Sequence, residues 1–306
     1  MIVAITGANG FIGQHLVRQF GDARWDVRPV VRRDVELGRL PGCFAGADVV
    51  VHAAGATRSP TVAELRESNV GLTATVIDAA RSASVARVVF ISSLAAVGPA
   101  SSREQAVTDT TAPSPIEAYG KAKLDAESVV QAAGIPFTVV RPAAVYGPGD
   151  RDFLALFRIA RRGIAIHPAN REQWISIVHV NDLVRAIMQA ATLEVAIGRV
   201  YCLGNAEPVR WADLFRMVAE CAGRRLSVDV EVPRPLVEFG ARVGDIVARA
   251  TGRAGLFTSE KVALSKPGYW ICSSERATRE LGLTSTIPLH EGLCDTYRWY
   301  LERGWL

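Results

Sequence analysis

The chain predicts a doubly wound parallel α/β sheet on three observations. Short apolar runs alternate with helical stretches through the first half, a glycine-rich turn follows the first run directly, and the alternation loosens after about Pro142. Apolar runs of this kind between helices read as strands buried on both faces, which a parallel sheet requires. Right-handed crossovers then place any ligand at the carboxyl ends of the strands.

In order, residues 1–6 read as the first strand and 10–20 as a helix. Strands follow at 27–31 and 47–55, a long helix at 64–82, a strand at 86–92, a helix at 117–133 and a strand at 135–141. Beyond them, helical spacing recurs at 152–162, 182–191, 212–221, 235–250 and 289–303, with strand candidates at 175–180 and 199–203. Pro233, Pro235, Pro267 and Pro288 punctuate this half. The expected organisation is a dinucleotide-binding domain of Rossmann type over 1–150 and a smaller C-terminal substrate lobe over 151–306, with late strands free to return to the main sheet.

With 306 residues, 49% hydrophobic and 22% charged, the composition is that of a globular protein. A net charge of +4, dispersed and without an aromatic-rich basic stripe, argues against a nucleic-acid partner. No apolar run approaches the ~20 residues of a membrane span. The N-terminus shows no signal-peptide pattern, which predicts a cytoplasmic protein with no membrane partner. Cys43, Cys202, Cys221, Cys272 and Cys294 are scattered, with no CxxC and no His–Cys cluster, so reduced thiols and no metal are expected.

"ITGANGFIG" carries Gly7, Gly10 and Gly13 between a strand and a helix. The spacing is GxxGxxG, yet the demand is that of the dinucleotide fingerprint. One glycine makes the tight turn, one lets backbone N–H groups approach a pyrophosphate, and one lets the helix pack on the strand. Gly7, Asn9, Gly10, Phe11, Ile12 and Gly13 are the expected contacts there. The second strand ends in "VVRRD". Arginine at this point suits the 2′-phosphate of NADP and an acid suits the ribose of NAD, so Arg32 and Arg33 favour NADP, with Asp34 the argument for NAD. The 13 residues from Asp34 to Gly46 leave little room for another crossover and strand. "YGKAK" places Tyr119 four residues before Lys123. By itself that spacing fits a catalytic pair or an aromatic and a surface charge on an ordinary helix.

Together these segments resemble the extended short-chain dehydrogenase/reductase family, which includes NAD-dependent epimerases and dehydratases, and the resemblance covers nearly the whole chain. "TGANGFIG" is similar to its nucleotide turn and "ADVVVHAAG", with Ala53, Ala54 and Gly55, to the strand beside adenine and ribose. "SNVGLTATVIDAA" resembles the helix with the structural asparagine, here Asn69, and "VVFISSLAAVG" the strand and loop with the catalytic serine. "YGKAK" resembles the YxxxK pair, "RPAAVYGPGD", with Pro142 and Val145, the nicotinamide-side loop, and "SIVHVNDLVRAI" the strand-to-helix step of the substrate lobe. The resemblance implies Ser93, Tyr119 and Lys123 as catalytic residues, a small-molecule substrate, and a homodimer through the helices at 64–82 and 117–133.

The chemistry agrees. Moving hydride at a carbinol carbon requires a proton on or off its oxygen, and a phenol of pKa ~10 is a poor base at neutral pH. A nearby lysine cation favours the phenolate, and four residues on a helix put both side chains on one face. Ser93 would steady charge on the substrate oxygen. Ser92 is its competitor, with a buried hydroxyl bonded to backbone as the alternative reading. His52 reads as a packed residue near the cofactor, Asp182 as the cap of the helix after His179, and "TYRWYLERGWL" as an amphipathic terminal helix on the lobe.

For the substrate, Val97 stands where nucleotide-sugar enzymes often have tyrosine, Ala144 where they have asparagine, and Ile175, beside Trp174, where they tend to carry an arginine. Arg171 could reach in from the loop instead. Apolar walls disfavour a dianionic diphosphate. "GYWICSSERATRELG" is also similar to the ends of 3β-hydroxysteroid dehydrogenase and dihydroflavonol reductase relatives. The expectation is a reductase or dehydrogenase of a ketone or secondary alcohol on a moderately hydrophobic molecule. The alternatives are a nucleotide-sugar epimerase or dehydratase that retains NAD, and a non-catalytic dinucleotide sensor.

Overall fold

The computed structural model describes residues 1–168, 170–251, 262, 264, 265, 267–283 and 287–306. In chain order come β1 (Ile2–Thr6), α1 (Phe11–Asp22), β2 (Asp26–Val30), α2 (Arg32–Glu36), α3 (Leu40–Phe44) and β3 (Val49–His52). Then follow α4 (Val62–Arg66), a π turn (Glu67–Gly71), α5 (Leu72–Ser82), β4 (Arg87–Ile91), a 3₁₀ turn (Leu94–Ala96), α6 (Ala118–Gln131) and β5 (Phe137–Pro142). The second half holds β6 (Ala144–Tyr146), α7 (Leu154–Ala160), β7 (Ile164–Pro168), β8 (Trp174–Ile175), β9 (Ile177–His179), α8 (Val180–Thr192), β10 (Arg199–Leu203) and β11 (Val209–Arg210). It ends with α9 (Trp211–Cys221), β12 (Val228–Val232), α10 (Arg234–Thr251), β13 (Tyr269–Trp270), α11 (Glu275–Leu281) and α12 (Leu289–Glu302).

A six-stranded sheet, ordered β10-β5-β4-β3-β1-β2 and parallel at every pairing, is the frame. The two-residue period of a strand sends alternate side chains to opposite layers. Val3, Ile5, Val49, Val51, Val89 and Ile91 pack with Leu16 and Phe20 of α1 and Val184 and Ile187 of α8. Ala4, Val50, Val88, Phe90 and Val139 pack on the other side with Phe44, Val76, Ile77 and Val130. Each such buried Val, Leu, Ile or Phe side chain contributes about 1.5–3 kcal/mol.

β10 and α8 follow residue 150 yet belong to this sheet and its covering layer, so the boundary at 150 does not separate the sheet from the lobe. Only two short helices connect β2 to β3, and among the described residues no strand lies outside β2. Among the described residues the lobe holds three small sheets, β11-β8-β13, β12-β7 and β6-β9. Phe157, Phe215, Leu293 and Tyr300 form its core, with Trp299 and Trp305 against it.

The stretch 64–82 is not one α-helix. Asn69 Nδ2 donates to the Leu65 carbonyl at 2.8 Å, the acceptor an α-turn would use at this residue, and the backbone widens into the π turn. The expected strand at 175–180 is likewise two strands in different sheets. Ser176 sits between them, its Oγ accepting from the Cys272 N–H at 3.1 Å. Asp182 is not the cap of α8. His179 Nδ1 accepts from the Asn181 N–H at 3.2 Å, and Asp182 instead accepts from the Ile287 N–H at 2.9 Å and pairs with Arg185. The cysteine reading is also corrected. Cys221 and Cys294 form a disulfide between α9 and α12, and His290 Nδ1 lies 3.8 Å from Cys294 Sγ. Packing of α9 against α12 brings together two cysteines 73 residues apart in sequence, which spacing does not reveal. The region expected as a helix at 235–250 is α10.

Candidate active site

The carboxyl ends of the parallel neighbours β1, β3, β4 and β5 lie along one edge of the sheet, and each leads into a loop. After β1, Gly7 adopts φ +70°, and a Cβ there would lie 2.8 Å from the Ala54 nitrogen. A Cβ on Gly13 would stand 2.1 Å from the Gly7 carbonyl oxygen, so only glycine lets α1 close on the turn. Gly10 caps α1 with no side-chain bond, and the first turn carries no acid. The helix N-terminus therefore keeps free N–H donors and its positive dipole end for an anion.

Ala53, Ala54 and Gly55 follow β3. A Cβ on Gly55 would meet Asn69 Oδ1 at 2.8 Å and Lys123 Nζ at 4.0 Å. Asn69 is buried; its Nδ2 also donates to Ala56 O at 2.9 Å, while Oδ1 has no partner among the described residues. A buried, unsatisfied acceptor costs stability unless something donates to it.

Lys123 is 4% exposed; its Nζ donates to the Ile91 carbonyl at 2.6 Å and lies 4.2 Å from the Phe90 ring centre. Burial pushes its pKa down to about 7, against the opposing pull of Glu127. Ser93 accepts from the Ala95 N–H at 3.1 Å and lies beside Tyr119. Burial pushes the Tyr119 phenol up to about 12; the Ser93 hydroxyl eases it and Glu117 adds to it. The expected lysine-driven depression is not present in this arrangement, because Lys123 is turned to Ile91.

Two residues that the sequence reading missed fix Tyr119. The Glu117 carboxylate caps α6, accepting from the N–H groups of Tyr119 at 2.7 Å and Gly120 at 2.5 Å. A Cβ on Gly120 would stand 2.2 Å from the Ala95 carbonyl, so glycine lets α6 approach the Ser93 loop. A third feature lies beneath. Ser92 bonds not to backbone but to the buried Glu127 carboxylate, which also accepts from Arg141 Nε at 3.0 Å and Nη2 at 2.6 Å. Glu127 stands four residues beyond Lys123 on α6, a same-face spacing that could have exposed it.

His52 is buried between Thr6 Oγ1, 2.7 Å away, and Thr73 Oγ1, 3.0 Å away, and burial pushes its pKa down to about 3, so it packs as a neutral ring. Pro142 is buried and Val145 packs against the sheet core. Phe11 and Ile12 pack on that core as well. Arg32 and Arg33 are exposed at the start of α2; Arg32 pairs with Glu36 at 3.2 Å. Asp34 is engaged locally, accepting from the Val31 N–H at 2.9 Å. Arg171 does not reach the site: it pairs with Asp229 at 3.0 Å. Trp174 is instead covered by Arg103, whose guanidinium lies 3.9 Å from the ring centre.

A parallel six-stranded sheet with this turn and this loop cluster defines a dinucleotide-binding enzyme of Rossmann type. The NAD dependent epimerase/dehydratase family model matches residues 3–204, and the chain belongs to that family. It is 30% identical to the ceramide reductase of Caulobacter vibrioides, over 100% of this chain and 96% of that protein. It is 28% identical to the 4-hydroxy-2-methyl-3-oxo-4-farnesyl-3,4-dihydroquinoline-1-oxide ketoreductase of Stigmatella aurantiaca, over 94% of this chain and 93% of the other. Among solved structures, MoeE5 in complex with UDP-glucose and NAD superimposes with a TM-score of 0.80 at 25% identity, covering 99% of both chains.

Proposed function

We propose that the protein is an oxidoreductase that uses a nicotinamide cofactor on a ketone or secondary alcohol of a moderately hydrophobic molecule, through Ser93, Tyr119 and Lys123. The observation that carries this reading is the packing of α6, with Tyr119, against the Ser93 loop, together with a buried lysine and an unsatisfied Asn69 acceptor beside the glycine turn. The free N-terminus of α1 and the side-chain-free backbone at Gly55, against Asn69 Oδ1, fit a dinucleotide. Gly7, Asn9, Gly10, Phe11, Ile12 and Gly13 would hold its pyrophosphate side, Ala53, Ala54 and Gly55 its middle, and Lys123, Pro142 and Val145 its nicotinamide side. When bound, the nicotinamide supplies or accepts the hydride.

The chain's own groups handle the proton. Tyr119, held protonated at neutral pH, is poised to donate to a carbonyl oxygen as it becomes an alkoxide. Ser93 donates to the same oxygen and steadies its charge. Lys123, on the same face of α6 and with its pKa near 7, would supply the cation that steadies the remaining phenolate on turning from the Ile91 carbonyl. Exposed Arg32 and Arg33 support NADP, and the local engagement of Asp34 removes the acid that would compete. A hydrophobic substrate is supported by buried Ile175 and by Ala144, where arginine and asparagine would serve a diphosphate. The ceramide and farnesyl groups in the names of the two relatives point the same way.

The second reading, a nucleotide-sugar epimerase or dehydratase with retained NAD, is favoured by the likeness to MoeE5. Tyr119→Phe tests the mechanism common to both. Turnover is expected to fall about 10²–10⁴-fold while nucleotide binding, followed by fluorescence, is unchanged. Wild-type turnover in this variant would overturn the assignment.

A further inference from the structure

Half of the large apolar side chains left exposed among the described residues, seven of fourteen, lie in one module of the lobe, β7, β12 and α10. On α10, Leu236, Phe239, Val243 and Ile246 are exposed by 62%, 68%, 44% and 65%. Their spacing of three, four and three residues draws one continuous stripe along the helix. The opposite face is spoken for: Val237 and Ala241 are buried against Val262 and Val232. On the ribbon, Val228 and Val230 project to one face by strand alternation, and Val230 is paired in register with Ile166, also exposed.

We propose that α10 and the β7–β12 ribbon form an interfacial surface that seats on an anionic lipid bilayer. Charge supports the bilayer as occupant. Arg242 stands three residues beyond Phe239 and four before Ile246, at the border of the stripe, and no described carboxylate pairs with it. Exposed Arg224 and Arg225 lead into β12 and are likewise without a described ion pair. Two nearby described acids are engaged: Glu238 pairs with Arg234 at 2.9 Å, and Asp229, on the other face of β12, is held by His167 and Arg171. An apolar stripe bordered by arginine can bury its side chains at the headgroup boundary while the guanidinium stays with lipid phosphate. No described helix is long and apolar enough to cross the membrane, so the module lies on the surface. Its purpose rests on the reading above: a lipophilic ketone resides in the bilayer, and a docked lobe meets it there.

The test is flotation of the purified protein, without substrate or nucleotide, with vesicles of phosphatidylcholine alone and of phosphatidylcholine with phosphatidylglycerol. Binding to the anionic vesicles is expected, about fivefold weaker in Arg242→Gln and about a hundredfold weaker in Phe239→Glu/Ile246→Glu. Both variants alter exposed residues, and circular dichroism checks their folding. In the wild type, hydrogen exchange over 234–251 should slow when those vesicles are added. Undiminished binding by the double variant, or no binding by the wild type, would overturn the proposal. So would concentration-dependent self-association in sedimentation equilibrium that Phe239→Glu abolishes, which would make a second copy the occupant. Because the assay needs no turnover, its failure leaves the catalytic reading standing, and loss of activity in Tyr119→Phe leaves the docking result unaffected.

Discussion

The sheet half and the lobe of this molecule solve burial in opposite ways. In the sheet, strands are apolar on both faces and the polar side chains that must be buried are closed into networks: Ser92 with Glu127 and Arg141, Thr6 with His52 and Thr73. The lobe relies on short sheets, an aromatic core and one disulfide, and it leaves apolar side chains of α10 and β12 in the open. The difference matches the two roles proposed for these regions. A proton-handling site needs side chains fixed by packing and hydrogen bonds. A surface that meets a lipophilic substrate needs apolar groups still available to it.

The strongest way to break the comparison is to open the sheet's buried network. Glu127→Ala leaves Arg141 charged, buried and unpaired, and stability to urea should fall by about 3–5 kcal/mol. Turnover should fall with it, because Ser92 and α6 lose the contact that fixes Ser93 and Lys123. A loss below about 1 kcal/mol would show that the network is slack.

Next comes the lobe. Cys221→Ser/Cys294→Ser, or reduction of the wild type, should lower stability by about 2–4 kcal/mol while the sheet's affinity for nucleotide persists. Loss of nucleotide affinity would mean that the two regions do not separate in this way.

A smaller effect sharpens the contrast through pH. His52 and His179 have folded pKa values pushed down by burial to about 3 and about 4, so the unfolded chain takes up their protons first. The stability they allow is complete above pH 6.5 and is lost as pH falls through about 4 and then about 3. Each contributes a slope of up to about 1.4 kcal/mol per pH unit in that window. His52→Gln should flatten the decline between neutral pH and pH 5 in urea titrations; an unchanged slope would exclude His52 as a source.

The smallest effect concerns the cofactor. Arg32→Ala/Arg33→Ala should lower kcat/KM for NADPH about tenfold and leave that for NADH within about twofold, as exposed charges act modestly. Equal losses for both would remove the argument for NADP.

How far the sequence reached follows the same division. Strand, glycine turn and the Tyr119–Lys123 spacing are local patterns, and local patterns survive into the structure: the parallel sheet, the turn on Gly7 and Gly13, and the 199–203 strand all stand where periodicity puts them. What escaped depends on partners far apart in the chain. Glu127 and Arg141 lie on a helix and a strand, Cys221 and Cys294 on two helices, and nothing in their spacing joins them. Asn69 was legible as a residue type, but its theft of the Leu65 carbonyl, and so the π turn, was not. The α10 stripe reads from sequence as ordinary amphipathicity; only the packing of Val237 and Ala241 shows which apolar face is left over.

The central claim is net reduction of a lipophilic ketone with Ser93, Tyr119 and Lys123 handling the oxygen and its proton. The most direct test is to incubate the protein with NADPH or NADH and long-chain ketones in mixed micelles, measuring nucleotide oxidised and alcohol formed together. One alcohol per nucleotide oxidised, abolished in Tyr119→Phe, is the expected result. Interconversion of a UDP-sugar with no net change in nucleotide, and no ketone reduced, would contradict it.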